Sequence, residues 1–126
     1  MMSRHFFGHG RIAYLQIPAI DVKASAVFYA NVFGWRIREG REDHLSFTDT
    51  TGDMIGAFVT GKATSREGGI VFYIYVHGID AAIERIEANG GTLVKQPYPE
   101  GDIWVAVFRD VAGNMIGIWQ KEPREP

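Results

Sequence analysis

The sequence predicts an α+β protein of two consecutive modules, each ordered strand, helix, strand, strand, strand. Three observations carry this. The apolar pattern passes from strand-like to helix-like and back once in each half of the chain. Asp53-Met54-Ile55-Gly56-Ala57-Phe58 matches Asn114-Met115-Ile116-Gly117-Ile118-Trp119 at a spacing of 61, while Ile20-Asp21 matches Ile79-Asp80 at 59 and Gly34 matches Gly91 at 57. Matches in the same order within two similar patterns are the mark of an internal repeat. Between the halves, Gly61 to Gly69 is polar and loop-like, the natural joint.

Each element has its own local reason. Arg11 to Ile17 alternates and is β-prone, and Pro18 closes it. Asp21 is a good N-cap, Val22 to Phe33 runs on without Gly or Pro, and Gly34 supplies the stop. This first helix is apolar on more than one side, so it is expected to be buried against a sheet. Trp35 to Gly40, His44 to Thr48 and Met54 to Thr60 read as strands, separated by the charged turn Arg41-Glu42-Asp43 and the turn cluster Asp49 to Asp53. In the second half, Ile70 to Val76 is a strand of alternating aromatic and aliphatic residues. Asp80 to Asn89 is a helix with Ile79, Ala82, Ile83 and Ile86 along one face. Thr92 to Gln96, Ile103 to Arg109 and Met115 to Gln120 complete the set, with Asp110 to Asn114 turning between the last two. Phe28, Tyr29, Trp35 and Phe108 are assigned to packing, and residues 121–126 read as a frayed tail.

Composition narrows the function. The 126 residues fit one domain, residues 1–126, with module one at about 11–60 and module two at about 69–120. The 13 Lys+Arg and 15 Asp+Glu leave a net charge of −2, which argues against nucleic acid as a partner. There is no cysteine, so thiol chemistry and Cys-bound zinc are excluded and a reducing, cytoplasmic location is expected. No segment approaches a membrane-spanning apolar run. His5 and His9 are spaced as neighbours on a helix, but the glycines around them disfavour one. His44 has no ligand partner at strand spacing, and His77 is read as a surface residue at the helix entry.

Ile17-Pro18-Ala19-Ile20-Asp21, Phe28-Tyr29-x-x-Val32-Phe33-Gly34-Trp35 and Asp110-x-x-Gly113-Asn114-Met115-Ile116-Gly117 together resemble the vicinal oxygen chelate superfamily. That superfamily includes glyoxalase I, extradiol dioxygenases and bleomycin-resistance proteins, and the similarity is greatest to a subgroup described as related to lactoylglutathione lyase. The resemblance covers about Arg11 to Gln120. It implies paired βαβββ modules forming a curved mixed sheet around a cavity, and a homodimer. It also implies metal-ligand positions on the first and last strands of each module, which here fall on Tyr14, Gly56, Val71 and Gly117. A divalent metal takes imidazole or carboxylate ligands. Gly and Val have none, so no metal and no cofactor are expected.

Strand alternation from these positions gives the expected cavity lining: Tyr14, Gln16, Gly56, Phe58, Val71, Tyr73, Tyr75, Gly117 and Trp119, with Ile12, Met54 and Met115 near the strand ends. The two glycines are read as leaving room for a ligand. Trp104 is expected to lid a pocket or cap a sheet edge. Three readings follow. The first is a metal-free protein that binds a hydrophobic or aromatic small molecule. The second is a metal-independent lyase or isomerase with Tyr14 and Gln16 as its acid/base or polarising groups. The third is an interaction protein whose cavity is filled by its own side chains.

Overall fold

A computed structural model describes residues 8–41 and 44–124. His5, the acidic half of the Arg41–Asp43 turn and the last two residues of the tail lie outside the described residues. The order of elements is β1 (Leu15–Pro18), α1 (Val22–Phe33), β2 (Arg36–Glu39), β3 (Leu45–Thr48), β4 (Ile55–Val59), β5 (Tyr73–Tyr75), α2 (Ile79–Ala88), β6 (Thr92–Glu100), β7 (Ile103–Arg109) and β8 (Met115–Lys121). They form two four-stranded sheets of identical plan. Sheet A runs β1-β4-β3-β2 and sheet B runs β5-β8-β7-β6, each with one parallel pair and two antiparallel pairs. The α+β class and the doubled strand-helix-strand-strand-strand order are those the sequence predicts.

Local chemistry sets the helix ends. The Asp21 carboxylate accepts from the backbone N–H of Lys23 and Ala24, and Gly34 ends α1 at φ 75°. The Asp49 carboxylate gathers the N–H groups of Gly52, Asp53 and Met54, which fixes the turn into β4. Two strands are shorter than the sequence suggests. The predicted strand from Arg11 pairs only from Leu15, and the one from Ile70 pairs only from Tyr73. One strand is longer: β6 runs past Pro97 and Pro99 to Glu100. It is an edge strand, where a residue without an N–H costs no inner ladder bond.

One core serves both sheets. Phe28 of α1 packs on Phe108 of β7, and Ile79, Ala82 and Ile86 of α2 are fully buried. Tyr29 of α1 stacks on Trp35 and Phe58, and Trp35 stacks on Phe47. Two buried polar side chains join the modules across this core. Asp110 accepts from the Tyr29 hydroxyl at 2.7 Å and from the Asn114 amide at 3.0 Å. Asn114 also donates to the Pro18 carbonyl and accepts from the Ser65 N–H. Burial first, then the Asp110 charge and hydrogen bond, hold the Tyr29 phenol well above its ordinary pKa of 10.0.

The tail is not frayed through residue 124. Gln120 accepts from the Ile79 N–H and donates to the carbonyls of Lys121 and Pro123. Arg124 pairs with Asp80 through two hydrogen bonds of 2.9 and 3.0 Å and lies over the Trp104 ring. The Arg124 guanidinium holds the Asp80 carboxyl below its ordinary value of 3.8. Trp104, on the inner strand β7, donates its indole N–H to Glu122 rather than capping a sheet edge.

Candidate functional site

Each sheet turns one face to the helices and leaves the other free of them. Strand pairing states which residues share a face, because partners at one level point the same way. In sheet A, Leu15, Gly56, Phe47 and Ile37 stand level, as do Ile17, Phe58 and Leu45. These residues, Gly56 apart, contribute to the core or pack against it, so this is the helix side. The helix-free side carries Gln16, Ala57, Ser46 and Arg38 at one level and Ile55, Thr48 and Arg36 at the next. Tyr14, one residue before β1, continues the alternation to that second level.

In sheet B the helix-free side carries Tyr73, Gly117, Val107 and Lys95 at one level, and Tyr75, Trp119, Val105 and Tyr98 at the next. Tyr75 meets Trp119 edge to face, with ring centroids 4.8 Å apart, and meets His77 edge to face at 5.7 Å. Lys95 sits over the Tyr98 ring at 4.1 Å. Tyr14, Tyr73 and Tyr75 are 51, 49 and 42% exposed, whereas Phe28, Tyr29, Phe47, Phe58 and Phe108 are almost wholly buried.

The structure thus brings Tyr73, Tyr75, Gly117 and Trp119 together on one face, places Val71 on the approach to it, and sets Tyr14 and Gln16 on the corresponding face of sheet A. Gly56 and Phe58 are a correction: they lie on the opposite side of sheet A from Tyr14 and Gln16. The sequence repeat aligns Gly56 with Gly117. Strand pairing instead sets Gly56 level with Leu15 and Ile118 level with Ile74, so the true counterpart of Gly56 is Ile118. A slip of one residue exchanges the faces of a strand. Met54 shifts with them. The second module's counterpart of Tyr14 is likewise Tyr73 and not Val71, since each tyrosine lies seven residues before its helix-opening Asp.

Neither glycine leaves an empty space. A Cβ at Gly56 would overlap the Leu15 carbonyl and the Phe47 ring. A Cβ at Gly117 would overlap the Tyr73 ring, which lies flat over that backbone. Both glycines admit an aromatic ring from the neighbouring strand, a familiar device in sheets. Two recesses lie elsewhere. One of about 630 Å³ lies beside the start of α1, lined by Asp21, His44 and Phe58 among others. The other, of about 450 Å³, runs between α1 and the β2–β3 hairpin.

A sequence profile described as Glyoxalase/Bleomycin resistance protein/Dioxygenase superfamily matches residues 11–118. The chain belongs to this superfamily. A glyoxylase-like domain-containing protein of Didymella fabae is 33% identical over 120 residues, covering 87% of this chain and 93% of the relative. The anthracycline biosynthesis protein DnrV of Streptomyces peucetius is 26% identical over 134 residues, covering 91% of this chain. The chain spans about half the length of that relative, 48%. Among solved structures, the fosfomycin resistance protein FosX of Listeria monocytogenes has the same fold, with a TM-score of 0.74 at 16% identity over 97% of this chain and 96% of that one. So does TnmS3 of Streptomyces sp. CB03234, an antibiotic binding protein, at 0.69 and 20% over 89% of this chain and 96% of that one.

Superfamily membership makes a bound divalent metal the first chemistry to test. Read by motif, the four ligand positions hold Tyr14, Gly56, Val71 and Gly117. Read by strand pairing, they hold Tyr14, Ile55, Tyr73 and Gly117. Neither set has an imidazole or a carboxylate, the donors that such an ion takes. Among the described residues no group of three or more His, Asp or Glu side chains converges anywhere. The residues present do not fit the group. Among the described residues, also, no base touches the Tyr14 hydroxyl, and no helix is long and apolar enough to cross a membrane.

Proposed function

We propose that this chain binds a hydrophobic or aromatic small molecule on its helix-free sheet faces, without a metal and without turnover. The observation that carries the reading is the exposure of Tyr14, Tyr73 and Tyr75 in a protein that buries Phe28, Tyr29, Trp35, Phe47, Phe58 and Phe108. Tyrosines and a tryptophan set edge to face offer apolar area together with hydroxyl and indole donors, which suits a planar ligand. The Gln16 amide adds one polar contact. Tyr14, Gln16, Val71, Tyr73, Tyr75, Gly117 and Trp119 form the proposed contact set. Gly117 acts in it by letting the Tyr73 ring lie flat. An antibiotic binding protein with this fold is consistent with such a role at the level of the fold.

Ile12 and Ile70 are exposed apolar residues that a second copy of the chain would cover. The reading therefore includes a homodimer, and the absence of cysteine supports a cytoplasmic setting.

Native mass spectrometry of tag-free protein, purified without chelator, reads subunit number and metal in one experiment. The expected mass is that of a metal-free dimer. One divalent ion per chain overturns the metal-free reading. Titration with methyl 1-naphthoate, followed by tryptophan fluorescence, is expected to saturate for the parent protein. The Tyr75→Ala/Trp119→Ala variant is expected to lose at least about tenfold in affinity. No binding up to the solubility limit of the ester overturns the reading.

A further inference from the structure

The helix-free face of sheet A has a shape and a charge that the sequence motifs do not reveal. Its middle strands are low: β4 presents Ile55 and Ala57, and β3 presents Ser46 and Thr48. Its outer strands are tall. On one side stand Tyr14 and Gln16, and on the other stand Arg36 and Arg38, alternating on β2 with Ile37 turned to the core. Three inter-strand steps of roughly 4.8 Å separate the two rims, so the trough is roughly 14 Å across. Its floor is Ile55, Ser46 and Thr48, with Ala57 fully buried among them, its near rim is a phenol ring and its far rim is two cations.

Among the described residues, the four strands put no carboxylate on this face. The residues that the four strands present there are Gln, Pro, Ile, Ala, Val, Ser, Thr and Arg, with no acid. Glu39 falls on the other side, level with Leu45. Both arginines are exposed and, among the described residues, neither guanidinium has an ion-pair or hydrogen-bond partner. The Ser46 and Thr48 side chains stand directly beside them on β3. Two guanidiniums with adjacent hydroxyls, free of carboxylates, make a receptor for an oxyanion.

We propose that the ligand is an anionic aromatic, an aromatic carboxylic acid in its ionised form. Its ring lies over Ile55 at the Tyr14–Gln16 end of the proposed contact set, and its carboxylate is held by Arg36 and Arg38. This rests on the binding reading above and narrows it from aromatic molecules in general to those with an acid at one end. Arg36 and Arg38 are then the residues that set specificity.

The test compares 1-naphthoate with its neutral methyl ester by calorimetric titration at low salt. The acid is expected to bind the parent protein at least about tenfold more tightly, and to lose that advantage as sodium chloride is added. The Arg36→Gln/Arg38→Gln variant is expected to bind acid and ester alike. Arg36→Lys/Arg38→Lys is expected to keep part of the preference. Both positions are exposed, so melting temperatures are expected to match the parent. Equal binding of acid and ester by the parent overturns the proposal and leaves the broader binding reading standing. A preference for the acid that survives Arg36→Gln/Arg38→Gln also overturns it, by placing the anion elsewhere. Failure of both compounds to bind overturns the two together.

Discussion

The two modules share one strand plan and place their aromatic residues in opposite ways. Module one buries them: Tyr29, Trp35, Phe47 and Phe58 stack against one another between sheet A and α1, and its free face is polar and cationic. Module two does the reverse. Its helix side is mostly aliphatic, with Ile79, Ile86, Ile116 and Ile118 buried, and its rings stand on the free face. Backbone pairing constrains both copies alike, but alternation offers every strand two faces, and the copies filled them differently. Most of the first module's rings are packed in the core, whereas the second module's Tyr73, Tyr75 and Trp119 stand on its free face.

This contrast is sharpest in ring deletions. Phe47→Ala removes a ring from the middle of the module-one stack and is expected to cost about 3–5 kcal/mol. Tyr75→Ala, at a half-exposed site, is expected to cost less than about 1 kcal/mol while lowering ligand affinity. Chemical denaturation of the two variants checks the difference, and equal losses would erase the distinction between the modules.

The paired glycines give the next largest effect. Gly56→Ala drives a methyl into the Leu15 carbonyl, so the β1–β4 pairing has to open, at an expected cost of about 3 kcal/mol. Gly117→Ala meets only the side chain of Tyr73, which is free to swing outward, at about 1 kcal/mol. A larger loss at Gly117 than at Gly56 would reverse the assignment of faces.

A smaller effect is expected at the link between the modules. Tyr29→Phe takes one donor from Asp110 and is expected to cost about 1–2 kcal/mol at neutral pH. The folded-state phenol is held above its ordinary 10.0, so its contribution is full below that pH and is lost as pH rises through the folded value. The gap between parent and Tyr29→Phe melting temperatures is therefore expected to narrow above pH 10, and a constant gap would contradict the buried hydrogen bond.

Much of this was legible in the sequence, for identifiable reasons. Asp21, Gly34 and the Asp49 turn act through local backbone chemistry, and the Ile79–Ile86 stripe repeats at helical spacing. The faces of β4 were not legible. The hexapeptide repeat aligned Gly56 with Gly117 by residue likeness, while the strand is placed by Phe47 and Phe58 packing on Tyr29, contacts between residues distant in the chain. The trough was missed for the same reason: nothing in Arg36-Ile37-Arg38 shows that Ser46, Ala57 and Gln16 stand level with it until strand pairing is known. The order of residues 121–124 was also hidden, because it depends on Gln120 reaching the start of α2 and on Arg124 meeting Asp80.

Asn114 carries a final consequence. Its amide bonds the end of β1, the inter-module loop and its own turn at once, and Asp110 beside it holds α1. Neither half of the chain can satisfy its buried polar groups alone. A chain cut within the 61–64 stretch would therefore give two fragments that acquire structure only by meeting each other. Melting would then become a function of how much of each piece is present.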